Sequence, residues 1–236
     1  MLRSDDLELL DREAQHAPAA VLAENLRDIR RANRFLGGTR AVLRTMRPLL
    51  AATPPDTTLR LLDLATGSAD IPVALVREAQ RLGKRVHVVA TDAQPRVLDI
   101  ARAVEQPGVL DIAEADARAL PYAASEFDVV LLSLALHHFS PQDGMLVLAE
   151  MRRVGRGLLL VNDLERSRLG YAGAWLFGTL LTRNRFTRHD APLSVRRAYT
   201  RAEARAMAYQ AGWRGVRVRG AVPFRYVLTG TAAPDG

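Results

Sequence analysis

The chain has 236 residues, of which 48% are hydrophobic and 25% are charged, enough for one well-packed domain with appended elements. It contains no cysteine, which excludes disulfides, thiolate zinc sites and cysteine nucleophiles and favours a cytoplasmic protein. The net charge is +7 but uneven, because residues 151–236 hold 16 arginines against 5 acidic residues. This basic third could attract an anionic substrate or a membrane surface, or it could be only a solvated arginine-rich surface.

The first 50 residues have the apolar spacing of helices. One helix face carries Leu22, Leu26, Ile29, Asn33 and Leu36. Asn33, the polar member of this stripe, is either a hydrogen-bonded core amide or a side chain directed at a ligand. Gly37-Gly38 predicts the end of the helix, and a linker follows at residues 51–58. We therefore expect an N-terminal helical cap over residues 1–54 and a second domain over residues 55–236.

From Leu59 onward, short apolar strands alternate with helices. The predicted strands are Leu59–Leu64, Val86–Thr91, Val109–Ala115, Phe127–Leu134 and Gly157–Val161. The predicted helices are Asp70–Leu82, Pro95–Val104, Pro141–Arg153 and Arg201–Gln210. Two final strands, Trp213–Arg219 and Val222–Leu228, form an antiparallel hairpin with its turn at Gly220-Ala221. This alternation predicts an α/β, doubly wound, mostly parallel seven-stranded sheet with helices on both faces.

Polar side chains follow five successive strands, at or just beyond the point where each strand ends. They are Asp63, Asp92, Asp116, Ser133 with His137 and His138, and Asn162 with Asp163. Ligands of doubly wound sheets bind at the carboxyl ends of the strands. The sequence therefore predicts a ligand site along this edge.

The loop after the first predicted strand indicates which nucleotide binds there. The stretch reads LLDLATGSADIP and lacks the G-x-G-x-x-G pattern that lets a backbone approach a pyrophosphate. A carboxylate at Asp63 would repel a diphosphate, but it suits a ligand that carries an ammonium and a sulfonium. Asp92 can accept two hydrogen bonds from a ribose diol, and Asp116 with Ala117 could contact an adenine. These features favour S-adenosylmethionine over a dinucleotide.

Five stretches together resemble the Rossmann-like, seven-stranded SAM-dependent methyltransferases. They are LLDLATGSADIP, VVATDAQP, AEADARALPY, FDVVLLSLALHHF and the ending AGW…V…PFRYVLTG, in family order over residues 30–230. The chain is most similar to the ubiquinone/menaquinone-type C-methyltransferases and to related small-molecule O-methyltransferases. The resemblance implies a cofactor site built from Asp63, Ala65, Thr66, Gly67, Asp92, Ala93, Asp116, Ala117 and Ser133.

The cofactor loop departs from the family pattern D-x-G-x-G-x-G. Only Gly67 stands in register, and alanines occupy positions 65 and 69. We expect glycine to be indispensable at Gly67, and we expect Ala65 and Ala69 to keep negative φ while the cofactor still fits. Asp70 is predicted to cap the following helix, and Pro72 fits its first turn.

Two histidines are candidates for the base that deprotonates an acceptor. His138 lies beside the expected methyl position, although it could instead be an oriented core or rim histidine. His189-Asp190 is the second candidate, but adjacent residues do not face each other on a regular element, so such a dyad needs a loop. No metal is expected, because no metal-ligand spacing such as HxH or HExxH appears.

The longest apolar stretch, Leu169–Leu181, is too short to span a bilayer, which takes roughly 20 residues. It falls within a predicted cap insertion at about residues 164–200 and is flanked by arginines. It could be a core or dimer helix, a lid over a lipophilic acceptor, or a helix resting on a membrane surface. The predicted substrate-binding residues are Asn33, His137, Arg166, Tyr171 and Trp175.

These observations favour methyl transfer from S-adenosylmethionine to a small lipophilic aromatic acceptor, which is phenolic, quinone-like or polyketide. Methylation of oxygen is slightly preferred over methylation of carbon. One alternative is an RNA or DNA methyltransferase that uses the basic C-terminal third, but no separate recognition domain is visible and no nucleic acid is expected. Another is a non-catalytic SAM-binding protein. A peripheral membrane contact and a homodimer are both compatible with the sequence.

Overall fold

The computed structural model describes residues 1–232 and contains a seven-stranded sheet of order β3-β2-β1-β4-β5-β7-β6. The strands are β1 Thr58–Leu64, β2 Arg85–Asp92, β3 Leu110–Glu114, β4 Phe127–Ser133, β5 Gly155–Leu164, β6 Arg214–Ala221 and β7 Arg225–Thr231. The first five strands are parallel, and β7 runs antiparallel to both β5 and β6. The predicted fold class is confirmed.

Nine helices are found within the described residues. They are α1 Leu9–Glu13, α2 Ala19–Phe35, α3 Gly38–Ala52, α4 Asp70–Arg81, α5 Pro95–Ala101, α6 Pro141–Val154, α7 Arg168–Leu180, α8 Arg185–Arg197 and α9 Arg201–Gln210. Short 3-10 turns follow α5 and β4. Between residues 1 and 232, no helix is long and apolar enough to cross a membrane.

Alternate residues of each strand enter two different cores, as the two-residue period of a strand requires. Along β4, Val130 and Leu132 pack with α6 and α9, whereas Val129 and Leu131 pack with α3 and α4. The sheet is therefore covered on both faces. Helix α3, which belongs to the first 54 residues of the chain, packs directly on the sheet through Met46 and its neighbours.

The predicted position of the final turn was wrong. Strand β6 continues through Gly220 and Ala221, and the turn lies at Val222-Pro223-Phe224 instead. Pro223 has no amide hydrogen to donate to a ladder, which explains why neither strand includes it.

Helices α2, α7 and α8 lie together near the carboxyl edge of the sheet. Buried polar side chains join α2 to α8, because Asn25 donates to Thr187 at 3.1 Å and Thr187 donates to Asp28 at 3.0 Å. The N-terminal segment is tied to the turn after β4, since Arg3 donates to the carbonyl of Phe139 at 2.7 Å. Arg197 of α8 donates to the carbonyl of His138 at 2.6 Å. These contacts hold α1 over the edge where the predicted ligand site lies.

Candidate functional site

The loop between β1 and α4 is held against the end of β2 by backbone hydrogen bonds. The amide of Thr66 donates to the carbonyl of Thr91 at 2.8 Å, and the amide of Gly67 donates to Asp92 Oδ2 at 3.0 Å. Asp92 Oδ1 in turn accepts from the amide of Gln94 at 3.0 Å. The side chain of Asp92 therefore organises both loops at this edge of the sheet.

The predicted backbone conformation of this loop was wrong. Ala65 and Ala69 adopt φ of 51° and 55°, close to the 58° of Gly67 between them. All three residues thus lie in the left-handed region, where a non-glycine residue costs roughly 1–2 kcal/mol. The tight passage from strand to helix imposes this geometry at every second position. Ala65 and Ala69 therefore have the positive φ that glycine adopts more readily, and not the predicted negative φ.

Asp70 was predicted to cap α4, and this was also wrong. The helix begins at Asp70, so the capping position falls on Ala69, which has no side chain that can cap. Asp70 Oδ2 instead accepts a hydrogen bond from Asn33 Nδ2 at 3.2 Å. Pro72 lies in the first turn of α4, as expected.

Three carboxyl groups, those of Asp63, Asp70 and Asp92, meet at this loop. Asp63 is buried, and its Oδ1 has no hydrogen-bond partner in residues 1–232. Burial raises the pKa of Asp63 to about 8, and the carboxylates of Asp70 and Asp92 add to the effect. Burial also raises the pKa values of Asp70 and Asp92. Such a site suits a ligand with positive charge, so these residues fit the ammonium and sulfonium of S-adenosylmethionine.

The other predicted cofactor residues already have protein partners or are aliphatic. Asp116 is paired with Arg118, whose Nη2 lies 2.7 Å from its Oδ2. Ser133 Oγ accepts from Asn162 Nδ2 at 2.8 Å. Ala93 directly follows Asp92 at the end of β2, and Ala117 is buried beside Asp116. The cofactor roles of these four residues remain predictions.

A cluster of histidines and carboxylates occupies the turn after β4. His137 Nδ1 lies 2.7 Å from Asp163 Oδ1, and His138 Nδ1 lies 2.9 Å from Asp11 Oδ1. The two imidazole rings are 4.4 Å apart between centroids. Glu8 lies against both, with its Oε1 3.6 Å from His137 Nε2 and its Oε2 3.8 Å from His138 Nε2. The N-terminal segment thus brings two acids to the histidines.

The carboxylates decide the charge of this cluster. Burial alone would lower the pKa of His138, but Glu8 and Asp11 outweigh it and raise the pKa to about 10. Burial would raise the pKa of Asp163, but His137 lowers it overall. In this structure His138 is therefore an imidazolium at neutral pH, which donates hydrogen bonds and does not take up a proton.

A cavity of about 470 Å³ opens beside this cluster. Its walls come from α2, α7, α8 and the β6–β7 turn, and they are largely apolar. The apolar lining includes Leu10, Ile29, Ala174, Leu176, Phe177 and Phe224. Its polar lining includes Glu8, His137, His138 and Asp190 at one end and Asn25, Asp28 and Thr187 from the joined α2 and α8. The cavity can hold a small, mainly apolar molecule with a polar group near the histidines.

The structure separates the residues that were predicted to bind substrate. His137 lines the cavity, whereas Tyr171 and His189 line a different hollow on the surface. Asn33 is a buried amide between Asp70 and Arg225, which is the first of the two alternatives left open by the sequence. Arg166 pairs with Glu203 at 2.6 Å. Trp175 is 54% exposed on the outer face of α7.

The His189-Asp190 pair lies on a helix, although the sequence suggested that such a pair would need a loop. Both residues belong to α8, and His189 Nδ1 is 2.7 Å from Asp190 Oδ1 because the short aspartate side chain bends toward its neighbour. Asp190 also accepts from the amides of Leu9 and Leu10 at 2.8 and 3.0 Å. Its observed contacts therefore anchor the start of α1. Its proposed catalytic role, like that of His189, stays a prediction.

Sequence reasoning missed several residues of the cluster. Glu8 and Asp11 belong to an N-terminal segment in which the sequence shows no binding motif, and Arg197 is one of many arginines in the C-terminal third. Asp163 was noted as a strand-end acid but was not assigned a role. The one available signal was the acidic character of residues 5–13 beside a strongly basic chain.

Comparisons with known proteins find methyltransferases. A family model described as a methyltransferase domain matches residues 61–156. Demethylmenaquinone methyltransferase from Deinococcus radiodurans is 37% identical over 107 residues, which are 43% of this chain and 42% of the relative. Ubiquinone/menaquinone biosynthesis C-methyltransferase UbiE from Paraburkholderia xenovorans is 32% identical over 111 residues, 45% of this chain and 44% of the relative. The chain thus matches less than half the length of these curated relatives.

A solved structure extends the likeness to nearly the whole fold. A SAM-dependent methyltransferase from Aquifex aeolicus superimposes with a TM-score of 0.60 and covers 86% of this chain and 93% of its own length. The identity is 17%, so this likeness concerns the fold alone.

Proposed function

We propose that this chain is a SAM-dependent methyltransferase that transfers a methyl group from S-adenosylmethionine to a small, lipophilic, hydroxylated aromatic acceptor; its likeness to methyltransferases in sequence and fold supports this. The observation that carries this proposal is the apolar cavity of about 470 Å³ that ends at Glu8, His137 and His138. Its walls suit an alkylated ring, and its polar end suits a hydroxyl group.

The residues that would hold the cofactor are those around Asp63, Gly67 and Asp92. Asp63 would pair with the ammonium, and Asp92 would accept hydrogen bonds from the ribose while its own contacts keep the loop in place. The chemistry available there, with the cofactor bound, is in-line displacement of a methyl group from a sulfonium. The protein's main contribution is alignment of the acceptor with that group.

At the acceptor end, the histidine cluster would bind and orient the hydroxyl group. His138 donates hydrogen bonds in its charged form, so the predicted role as a base requires that it first lose its proton. Apolar residues of α7 and α8 would exclude water from the ring and hold it in one orientation. A hydroxyl oxygen held at this polar end is the nucleophile we favour.

Methylation of a ring carbon is the second candidate. The relatives from Deinococcus and Paraburkholderia carry the names of a demethylmenaquinone methyltransferase and a C-methyltransferase. A carbon beside a ring hydroxyl becomes nucleophilic when that hydroxyl is deprotonated, so the same cavity and polar end would serve this reaction.

The test uses the full chain, S-adenosylmethionine and a panel of phenols and hydroquinones with and without alkyl chains. We expect methylated product with the alkylated members, and nuclear magnetic resonance of that product would separate oxygen from carbon methylation. Ala174→Phe, which places a ring in the cavity, should raise the acceptor KM at least tenfold and leave the Kd for S-adenosylmethionine unchanged. Calorimetry that detects no binding of S-adenosylmethionine would reject the proposal.

A peripheral membrane contact is proposed for the outer face of α7. Leu169, Trp175 and Leu180 are exposed there. Arg168 is the first residue of the helix and Arg183 follows its end, as expected for a surface that rests on anionic headgroups. Sedimentation with vesicles of phosphatidylglycerol should capture the protein, and vesicles of phosphatidylcholine should capture much less.

Trp175→Glu should abolish that capture, whereas Tyr209→Glu, at an exposed aromatic residue of α9, should leave it unchanged. If the face is instead a dimer contact, light scattering will show a dimer that Trp175→Glu dissociates. That result, without capture by anionic vesicles, would overturn the membrane assignment.

A further inference from the structure

We infer that Glu8, His137 and His138 form a binding site for a divalent transition-metal ion at the end of the acceptor cavity. Their ligand atoms all lie within 4.8 Å of one another. The expectation that no metal binds rested on spacing along the chain. Glu8 is far from the histidines in sequence and joins them only through the fold.

The distances from Glu8 to the histidines are the main argument. They are 3.6 Å to His137 Nε2 and 3.8 Å to His138 Nε2, which is too long for hydrogen bonds. Two donor atoms that each lie about 2.1 Å from one ion are separated by roughly this distance when the angle at the ion is wide. Each oxygen of the Glu8 carboxylate faces a different imidazole. The gap between Glu8 and the two Nε2 atoms is therefore bordered on both sides by donor atoms.

Both histidines have the orientation that metal ligands require. Asp163 binds Nδ1 of His137 at 2.7 Å, and Asp11 binds Nδ1 of His138 at 2.9 Å. A carboxylate on Nδ1 fixes a proton there and turns Nε2 toward Glu8, which is the usual outer arrangement around a metal-bound histidine. Two independent carboxylates do this for two neighbouring histidines, and both Nε2 atoms approach Glu8. The Nε2 proton of the His138 imidazolium would be released when an ion binds.

The remaining neighbours hold Glu8 without filling the gap. Ser194 Oγ donates to Glu8 Oε1 at 2.9 Å, and Arg197 Nε lies 3.9 Å from the same oxygen. Glu8 Oε2 accepts no hydrogen bond within residues 1–232. Three acids, Glu8, Asp11 and Asp163, therefore face the two imidazole rings. The guanidinium groups of Arg3 and Arg197 lie at the backbone carbonyls of the histidines and leave the space between Glu8 and the two Nε2 atoms open.

The donor set selects the class of ion. Imidazole and carboxylate ligands suit Zn²⁺, Co²⁺ or Fe²⁺, whereas Mg²⁺ and Ca²⁺ prefer oxygen donors. Three protein ligands leave a coordination position that opens to the cavity, as in catalytic rather than structural zinc sites. There the ion would bind the acceptor hydroxyl as its anion, and the hydroxyl proton would pass to solvent. This role rests on the proposed function, whereas binding of the ion does not.

The test measures binding of Co²⁺ to the full chain after treatment with a chelator, without cofactor or acceptor. We expect one Co²⁺ per chain with a visible absorption band, and displacement of the band by one equivalent of Zn²⁺. Glu8→Gln keeps the size of the side chain and should weaken Co²⁺ binding at least 100-fold. Asp163→Asn, which keeps the size of the side chain that holds the His137 ring but removes its charge, should weaken it roughly 10–100-fold.

His16→Ala is the matched control, because His16 is exposed and lies outside the cluster. It should leave the affinity for Co²⁺ unchanged. No binding by the wild-type chain at micromolar Co²⁺, or equal binding by Glu8→Gln, would overturn the site. Thermal unfolding of each variant shows whether it is folded. A chain that binds Co²⁺ but transfers no methyl group would reject the proposed function and keep the metal site.

Discussion

The left-handed backbone of the cofactor loop makes a prediction that runs against the usual effect of glycine. Replacing alanine by glycine normally destabilises a protein, because glycine is freer in the unfolded chain. At Ala65, however, the folded chain holds φ at 51°, where the alanine Cβ is strained. We therefore expect Ala65→Gly to raise the free energy of unfolding.

The magnitude follows from two opposing contributions. The left-handed conformation costs alanine roughly 1–2 kcal/mol, and the extra freedom of glycine in the unfolded chain offsets about 0.4–1 kcal/mol of that gain. The net effect for Ala65→Gly is about 0.5–1 kcal/mol, or a rise in Tm of roughly 1–4 °C for a chain of this size. Ala69→Gly should leave the free energy of unfolding nearly unchanged. Ala69 is fully buried, so the loss of its methyl group removes about 0.8 kcal/mol of hydrophobic stabilisation and offsets the relief of strain.

Two variants provide the controls. Ala206→Gly changes an exposed position inside α9 and should lower stability by about 1 kcal/mol. Gly67→Ala is the reverse change within the loop. An added Cβ there would meet only Leu26, at 3.9 Å, so its cost of about 1 kcal/mol would come from the positive φ rather than from a collision.

The assay is urea unfolding of the chain without cofactor, followed by circular dichroism, with Tm from thermal scans as a second measure. All four variants are compared with the same wild-type chain, so the differences in their free energies of unfolding are more informative than the absolute values. If Ala65→Gly destabilised the chain as much as Ala206→Gly, the left-handed strain at Ala65 would be refuted.

Three further outcomes are expected from single substitutions. Asp92→Ala should weaken binding of S-adenosylmethionine at least tenfold, or about 1.4 kcal/mol, by calorimetry, and unchanged affinity would reject its role. His138→Ala should lower turnover and spare cofactor affinity, and undiminished turnover would exclude it from the reaction. The guanidinium groups of Arg81 and Arg47 lower the pKa of Glu78 from 4.5 to about 2. Glu78→Gln should therefore reduce stability at pH 7, and its difference from wild type should fade as pH drops from about 4.5 toward 2. A difference that does not change with pH would contradict that ion pair.

The sequence by itself determined the sheet and the position of the cofactor loop. Alternation of apolar strands with helices is a local pattern, so it predicted the strands and most of their bounds. Because the carboxyl ends of parallel strands meet at one edge, the final residues of the predicted strands sufficed to place Asp63, Asp92 and His138 along that edge. The Rossmann-like fold follows from these features.

The tertiary structure decided what surrounds the acceptor. Glu8 and Asp11 reach the histidines across more than 100 residues of chain, and no local pattern encodes a contact at that separation. The left-handed φ of Ala65 and Ala69 depends on how the strand must turn into α4, which composition does not reveal. The cavity likewise arises only where α2, α7 and α8 pack together. Periodicity predicts which face of an element is buried, but the partners of a buried polar side chain are set by long-range packing.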